Sequence, residues 1–409
     1  MTLTAYSDKV KVRLYSNTTV RTLNVSFDLG NYNLYADGDQ LLEDMVGEGR
    51  SVLIRPEGKQ LHVSVNETDY GTFNTLRLEA TDTACILCIN PEGSKQRTYE
   101  GDLEVSLLKS GSLQLINNVE FETYIAGVVQ SEIYGKRTDI FRIQAIISRT
   151  WALRNMGKHR SDGYNFCDHV HCQAYHNRCI RPDIMMGAIQ SSGETANSED
   201  VWRAALPYLR SVADTFSYHM RQSDWTKTVS VDRWLSYFAK THKLDTKNPA
   251  VRDTLLHFTQ EHRRVRILGV PLTRVRVDWQ LKSTFFSVSV DPDANNVILH
   301  GHGYGHGVGL SQEGAIRMVE LGIDYDSILR HYYTGAEVHQ DPHANRNYVE
   351  QYVEQINRII EEDKNRKTQI RSKKDDWLGR LFRLRDREER EEVYIEAEQD
   401  NEKDWEYEW

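Results

Sequence analysis

No apolar run in the 409-residue chain approaches the ~20 residues that a membrane-crossing helix needs. A helical membrane span is therefore not expected. Cysteine is scarce: Cys85, Cys88, Cys167, Cys172 and Cys179 are an odd number at irregular spacing, too few to scaffold a chain of this length with disulfides. Positive charge is outnumbered, 51 Lys and Arg against 60 Asp and Glu, and a formal net charge of −9 excludes duplex nucleic acid as the main partner, because such binders carry a dense basic face. No charged n-region followed by an apolar h-region opens the chain, since Met1-Thr2-Leu3-Thr4 runs within a few residues into the strand-like Val10-Lys11-Val12-Arg13-Leu14. The protein is then either cytosolic or an exported one whose signal peptide is absent from this sequence. No His-Glu-x-x-His supports a zincin protease, and no Walker lysine follows the glycine-rich stretch described below.

What is present reads as an α+β fold. From residue 9 to 118 apolar and polar residues alternate, as in Val10/Val12/Leu14, Leu61/Val63/Val65 and Leu103/Val105/Leu107, with Asp-Gly, Glu-Gly and Ser-Gly turns between the runs. This predicts a β-rich N-terminal region over 1–118. Helical spacing takes over at 120–134, 139–156, 231–242, 249–263, 311–321 and 325–333, mixed with strands such as Val288-Ser289-Val290, so the middle and later chain is expected to mix helices and strands, with a helical insertion at about 220–265. Residues 341–409 are rich in Asp, Glu, Lys and Arg and end in Asp404-Trp405-Glu406-Tyr407-Glu408-Trp409. They read as a charged tail, helical in part or disordered, outside the core.

Three stretches could carry chemistry. In 119–133, Phe121, Ile125, Val128 and Glu132 recur at helical spacing, which places Glu132 on the stripe that faces the core. Burial raises a carboxyl pKa, and a glutamic acid still protonated near neutral pH is what general-acid cleavage of a glycosidic bond requires; the bland alternative is a helix-end Glu paired with Arg142 or Arg149. In the second stretch, His159, Cys167, His169, His171, Cys172 and His176 crowd into eighteen residues, with Gln173 and Tyr175 among them. Two thiolates with one or two imidazoles form a donor set that Zn²⁺ prefers, while a Cys167–Cys172 disulfide is the competing reading. The third stretch, Gly301 to Ala315, has glycine at every second position from 301 to 309, with His302, Tyr304 and His306 between and Ser311 placed to cap the next helix.

The order and wording of seven stretches resemble the SpoIID/LytB family: Tyr124-Ile-Ala-Gly-Val-Val-Gln-Ser-Glu132, Gln144 to Leu153, Cys167 to Tyr175, Ser192-Gly-Glu-Thr-Ala-Asn197 to Trp202, Leu281-Lys-Ser-Thr284-Phe, Gly301 to Ala315, and Ile328 to Gly335. The resemblance covers roughly residues 119–340 and implies that they form a mixed helix/strand catalytic core with a substrate groove. It implies a lytic transglycosylase that cuts the β-1,4 bond from N-acetylmuramic acid to N-acetylglucosamine in peptidoglycan and leaves a 1,6-anhydro end, with glycan strands already freed of stem peptides by a cell-wall amidase as substrate. It implies an exported protein of the cell envelope, with Glu132 as the general acid/base. By family order a zinc ion would fall to His159, Cys167 and Cys172. The glycan groove would draw on Tyr124, Gln144, Arg149, His171, Gln173, Ser192, Gly193, Thr284, Tyr304, His306, Ser311 and Gln312. One departure stands out: Gly187-Ala188-Ile189-Gln190 directly abuts Ser191-Ser192-Gly193-Glu194-Thr195, where family members usually carry an extra strand pair.

Two other readings compete with the enzyme. A non-catalytic peptidoglycan-binding protein or amidase activator of the LytB type would keep the glycine-rich groove and could dispense with Glu132. A zinc enzyme built on Cys167 and Cys172, with Glu132 as its base, would lose turnover on chelation while staying folded.

Overall fold

The computed structural model describes residues 9–340, apart from 47–49, 82–84, 192–193, 197–214, 218–223, 261–263, 292 and 306–308, together with 357, 358 and 361. The charged tail from 341 onward otherwise lies outside the described residues, as do Ser192, Gly193 and His306. By contact density the chain divides into two units, residues 1–179 with 183–345, and 180–182 with 346–409. All that follows concerns the first.

Among the described residues twelve strands precede the first helix, as the alternating pattern predicts. They are β1 (Lys9–Leu14), β2 (Leu23–Leu29), β3 (Asn31–Ala36), β4 (Asp39–Val46), β5 (Ser51–Glu57), β6 (Gln60–Val65), β7 (Thr68–Phe73), β8 (Thr75–Ala80), β9 (Ile86–Pro91), β10 (Arg97–Glu100), β11 (Asp102–Leu107) and β12 (Leu113–Glu120). Every second side chain of β1 and β6, and of β2 as far as Phe27, is buried, so each strand turns one face toward a core built from Val10, Val12, Leu23, Val25, Leu61 and Val63. One sheet has the order β10-β9-β2-β5-β6-β7. The other runs β13-β1-β12-β11-β8-β3-β4, where β13 is only Phe166–Cys167. Because β13 pairs in parallel with β1, Val12 opposite Phe166 and Arg13 opposite Cys167, the N-terminal sheet fixes the backbone of a cysteine from the second chemical stretch.

The helices are α1 (Phe121–Glu132), α2 (Thr138–Arg154), α3 (Pro182–Gln190), α4 (Val231–His242), α5 (Pro249–Leu256), α6 (Leu272–Asp278), α7 (Gln312–Glu320) and α8 (Tyr325–Tyr332). The starts of four are chemically marked. Ser230, Asn248, Ser311 and Asp324 each accept a backbone N–H of the following first turn, and Pro249 opens α5 where its missing N–H costs nothing. The fold is α+β, with a β-rich N-terminal part. Short β14 (Glu194–Ala196), the next described element after α3, pairs with β20 (Val338–Gln340).

Two helical expectations are corrected. The segment expected as a helical insertion opens with a strand, β15 (Asp224–Ser230), and continues through α4, α5, the hairpin β16 (Arg266–Ile267) and β17 (Val270–Pro271), and α6 into β18 (Phe286–Asp291) and β19 (Asn296–His302). β15 pairs with β19, and β19 with β18, so this part is a three-stranded antiparallel sheet with helices, sharing a core of Trp225, Trp234, Phe238, Trp279 and Phe286. The helix expected to run to 263 stops at Leu256. Phe258 is buried there and its carbonyl accepts the Val288 N–H at 2.7 Å, so pairing with β18 overrides helical continuation.

Candidate active site

α1 leaves β12 without a break, and every side chain from Phe121 to Val129 is buried. Its first turn carries Glu122, which meets Arg149 of α2 through two bonds of 2.6 and 2.5 Å, both residues being enclosed. Arg149 also donates to the Ser191 carbonyl at 2.7 Å and the Ala188 carbonyl at 3.3 Å, tying α1 and α2 to the end of α3. Tyr124 stacks on Phe166 and donates through its hydroxyl to Gln173 Oε1 at 3.2 Å. Tyr124 and Arg149, expected to touch glycan, are 0% and 1% exposed. Their reach ends inside the protein, so they support the site rather than contact a sugar. Thr284 and Gln173 are also buried, and Gln173 spends its amide on the Ser148 carbonyl.

At the other end of α1, Glu132 is half-buried and accepts the Ala174 N–H on Oε1 at 2.6 Å. Among the described residues no Lys, Arg or His stands within ion-pair distance of it: Arg149 is held by Glu122, and Arg142 lies 3.8 Å over the Tyr325 ring with a 3.0 Å bond to its hydroxyl. The bland sequence alternative, pairing with Arg142 or Arg149, is thus not what forms. Burial pushes the Glu132 carboxyl above its ordinary value, and the single Ala174 N–H opposes this without reversing it. Its place as the last residue of α1, with no basic residue in the last turn, adds the negative end of the helix dipole in the same direction.

Glu132 is linked to the third stretch. Gln312, the first residue of α7, donates its Nε2 to the Glu132 carbonyl at 2.8 Å, while Tyr134 donates its hydroxyl to Glu313. Gln312 was expected to point at a sugar; its amide instead holds the backbone of the acid. Ser311 uses its hydroxyl to cap α7, and Gln144 is half-buried with its amide on Ser148 Oγ at 3.2 Å. Tyr304 is 67% exposed and available to a ligand. The glycines of this stretch serve two different needs. Gly303 and Gly305 adopt φ of +69° and +85° in otherwise open space, so backbone conformation requires them, whereas a Cβ on Gly301 would meet the Trp225 ring at 2.0 Å.

The second stretch closes into a cluster. The donor atoms of His159, Cys167, His171 and Cys172 all lie within 4.8 Å of one another: Cys172 Sγ is 3.4 Å from His159 Nε2, and His171 Nδ1 is 3.5 Å from Cys167 Sγ and 3.8 Å from Cys172 Sγ. All five cysteines are free thiols, so the disulfide reading is not what the structure contains. His171, assigned from the sequence to the glycan groove, belongs to this cluster instead. Tetrahedral bonds of about 2.0 to 2.3 Å place neighbouring donors roughly 3.5 Å apart; the three separations of 3.4, 3.5 and 3.8 Å lie near this, and the whole set lies within 4.8 Å. His159 turns its other nitrogen to Asp162 Oδ2 at 3.2 Å, the orienting carboxylate that a metal-bound imidazole commonly has. The Cys167 thiol is pushed down and the Cys172 thiol up, chiefly by the hydrogen bond between the two sulfurs, so one proton is shared across the pair. His169 stays apart, accepting the His171 N–H, and Cys179 is buried away from the group.

Two supporting residues escaped the sequence reading. Asp162 sits three residues after His159, a spacing that could have flagged it. Asp168 accepts bonds from the Tyr15 and Ser16 N–H groups at 2.7 and 3.0 Å and from Arg97 at 2.8 Å, clamping the chain just after Cys167; nothing local in the sequence signals partners 71 to 153 residues distant.

Residues 109–205 match the sequence profile described as Stage II sporulation protein (SpoIID). The chain is 20% identical over 336 residues to stage II sporulation protein D of Bacillus amyloliquefaciens, covering 70% of this chain and 90% of that one. With stage II sporulation protein D of Bacillus subtilis (strain 168) it shares 24% over 264 residues, 55% of this chain and 76% of the other. An uncharacterized protein of Brachyspira hyodysenteriae is 23% identical over 318 residues, 69% of this chain and 85% of its own. The matched segment holds both the helix ending in Glu132 and the sulfur cluster, so the resemblance to the SpoIID family read from the sequence is supported by the profile and by these distant stage II sporulation protein D relatives.

Proposed function

We propose that this protein is a peptidoglycan lytic transglycosylase with Glu132 as its general acid/base. The observation that carries the reading is a half-buried carboxyl, raised in pKa by desolvation, held by one backbone N–H and unpaired with any cation among the described residues. In the reaction Glu132 gives its proton to the oxygen leaving C1 of N-acetylmuramic acid as the C1–O bond breaks. The C6 hydroxyl of the same sugar then bonds to C1, its proton passing to the Glu132 carboxylate, so the acid is restored and a 1,6-anhydro end is left. One carboxyl serves both steps because the nucleophile is internal to the substrate, and no second catalytic carboxylate is needed.

The substrate proposed is glycan freed of stem peptides, which makes a cell-wall amidase the preceding enzyme and the cell envelope the place of action. The donor set of His159, Cys167, His171 and Cys172 fits a zinc ion, which would brace the segment from 159 to 172. Ala174, whose N–H meets Glu132, follows Cys172 by two residues, so order in that segment bears on the acid.

The test incubates amidase-treated glycan strands with wild type and with Glu132→Gln, and reads anhydro-muramyl products by mass. Anhydro ends from wild type alone support the proposal. Strands bound but uncut by a folded wild type would assign the protein to glycan binding or amidase activation instead.

A further inference from the structure

On α6, Arg276 donates its Nε to the Lys282 carbonyl at 3.2 Å, and its guanidinium lies 5.7 Å from the centre of the Tyr304 ring. The same carbonyl accepts the Gly305 N–H at 2.7 Å, so a single oxygen fixes the arginine against the glycine-rich stretch. Lys282 and Tyr304 are both exposed. Among the described residues no carboxylate lies within ion-pair distance of Arg276 or Lys282, although Asp278 is close in sequence and Asp224 lies on the strand paired with the one that leads into the glycine-rich stretch. Asp278 is held by Arg274 at 2.8 Å and by Tyr237 at 3.0 Å, and Asp224 is held by His302 at 2.7 Å.

An arginine tied down through Nε keeps Nη1 and Nη2 as a planar fork, the arrangement that recognises a carboxylate through two parallel bonds. An exposed aromatic face beside it suits a sugar ring. Gly305 stands seven residues before Gln312, whose amide holds the Glu132 carbonyl, so at most about 25 Å of extended chain separates the two positions. The geometry points to a carboxylate subsite formed by Arg276 and Lys282 beside Tyr304, which reads the free lactyl carboxylate of N-acetylmuramic acid. This assignment rests on the glycan-cleaving reading above and names what selects the substrate. Where a stem peptide is attached, that carboxyl is an amide and carries no charge; once the amide is hydrolysed, every second sugar of the strand bears an anion. The reaction that supplies the substrate is therefore hydrolysis of the muramoyl amide.

Binding is measured on the Glu132→Gln background, so that turnover does not enter, with peptide-free glycan strands and with neutral chitin oligomers that lack the lactyl group. Arg276→Gln should weaken the strands about tenfold and leave the chitin oligomers unchanged, because a charge-assisted fork is lost. Lys282→Gln, which disturbs no backbone contact, should weaken the strands by less and reduce the salt sensitivity of their binding. Equal weakening of both ligands by Arg276→Gln, or no weakening of either, overturns the subsite while leaving the glycan groove intact. If the Glu132→Gln parent binds neither ligand, the glycan reading itself fails and the subsite with it.

Discussion

Helix α1 carries a glutamate at each end, and the two have opposite fates. Glu122 lies in the first turn, where the helix dipole favours an anion, and it is sealed against Arg149 by a two-point ion pair. Glu132 closes the last turn, where the dipole disfavours an anion, and one backbone N–H is the partner its carboxyl has among the described residues. A buried carboxylate with an arginine is spent on structure; a half-buried one without a cation has its pKa raised by burial. The same residue type on the same helix is thus locked in an ion pair or left without a cation according to what the second helix brings to it.

The largest effect that would break this contrast is expected from Glu122→Gln. It leaves the Arg149 charge enclosed without its counter-ion and should cost roughly 3–5 kcal/mol of stability by denaturant titration. A loss below about 1 kcal/mol would mean that the pair does not hold α1 to α2. Glu132→Gln should do the reverse, lowering turnover of peptide-free glycan by roughly 10²-fold or more with the melting temperature unchanged or raised. Turnover within about tenfold of wild type removes Glu132 from the acid role.

The pH dependence of stability sharpens the same comparison. With its folded pKa above the ordinary 4.5, Glu132 binds more protons folded than unfolded, so its contribution to stability is present at low pH and lost as pH rises from about 4.5 through the folded value. Wild type should therefore lose stability relative to Glu132→Gln across that interval when both are followed by melting at successive pH values. Parallel curves would show that the carboxyl is not strained by burial.

A smaller effect is expected from the sulfur cluster beside Glu132. The purified protein should hold about one zinc per chain, His171→Ala should release it more readily than His169→Ala does, and chelation should lower the melting temperature. Zinc content unaffected by His171→Ala would return that residue to the groove. The smallest change is expected from Gly305→Val. A Cβ there meets nothing within 4 Å, so the cost is that of a β-branched residue at φ +85°, about 1–2 kcal/mol, read as a modest drop in melting temperature. A glycan affinity that falls much further than this would show that the backbone of the stretch itself meets the sugar.

Periodicity alone located α1, α2, α4, α7 and α8 to within a few residues, and alternation announced the N-terminal sheets, because each of these elements buries one face and the burial period is written in the chain. The spacing of Phe121, Ile125, Val128 and Glu132 likewise placed a carboxyl on the inward stripe, and the crowding of histidine and cysteine between 159 and 172 announced a donor cluster. Which arginine neutralises which glutamate could not be read in this way. Arg142 and Arg149 are equally basic and lie on one helix, and only the packing of α2 on α1 gives Arg149 to Glu122 and Arg142 to Tyr325. His171 followed the cysteines rather than the groove because β13 is anchored to β1, and α5 ended early because Phe258 found a strand to pair with. Burial period is a local property carried by consecutive side chains, whereas charge pairing, metal-donor geometry and strand partnership depend on residues far apart in sequence, and only the folded chain brings those together.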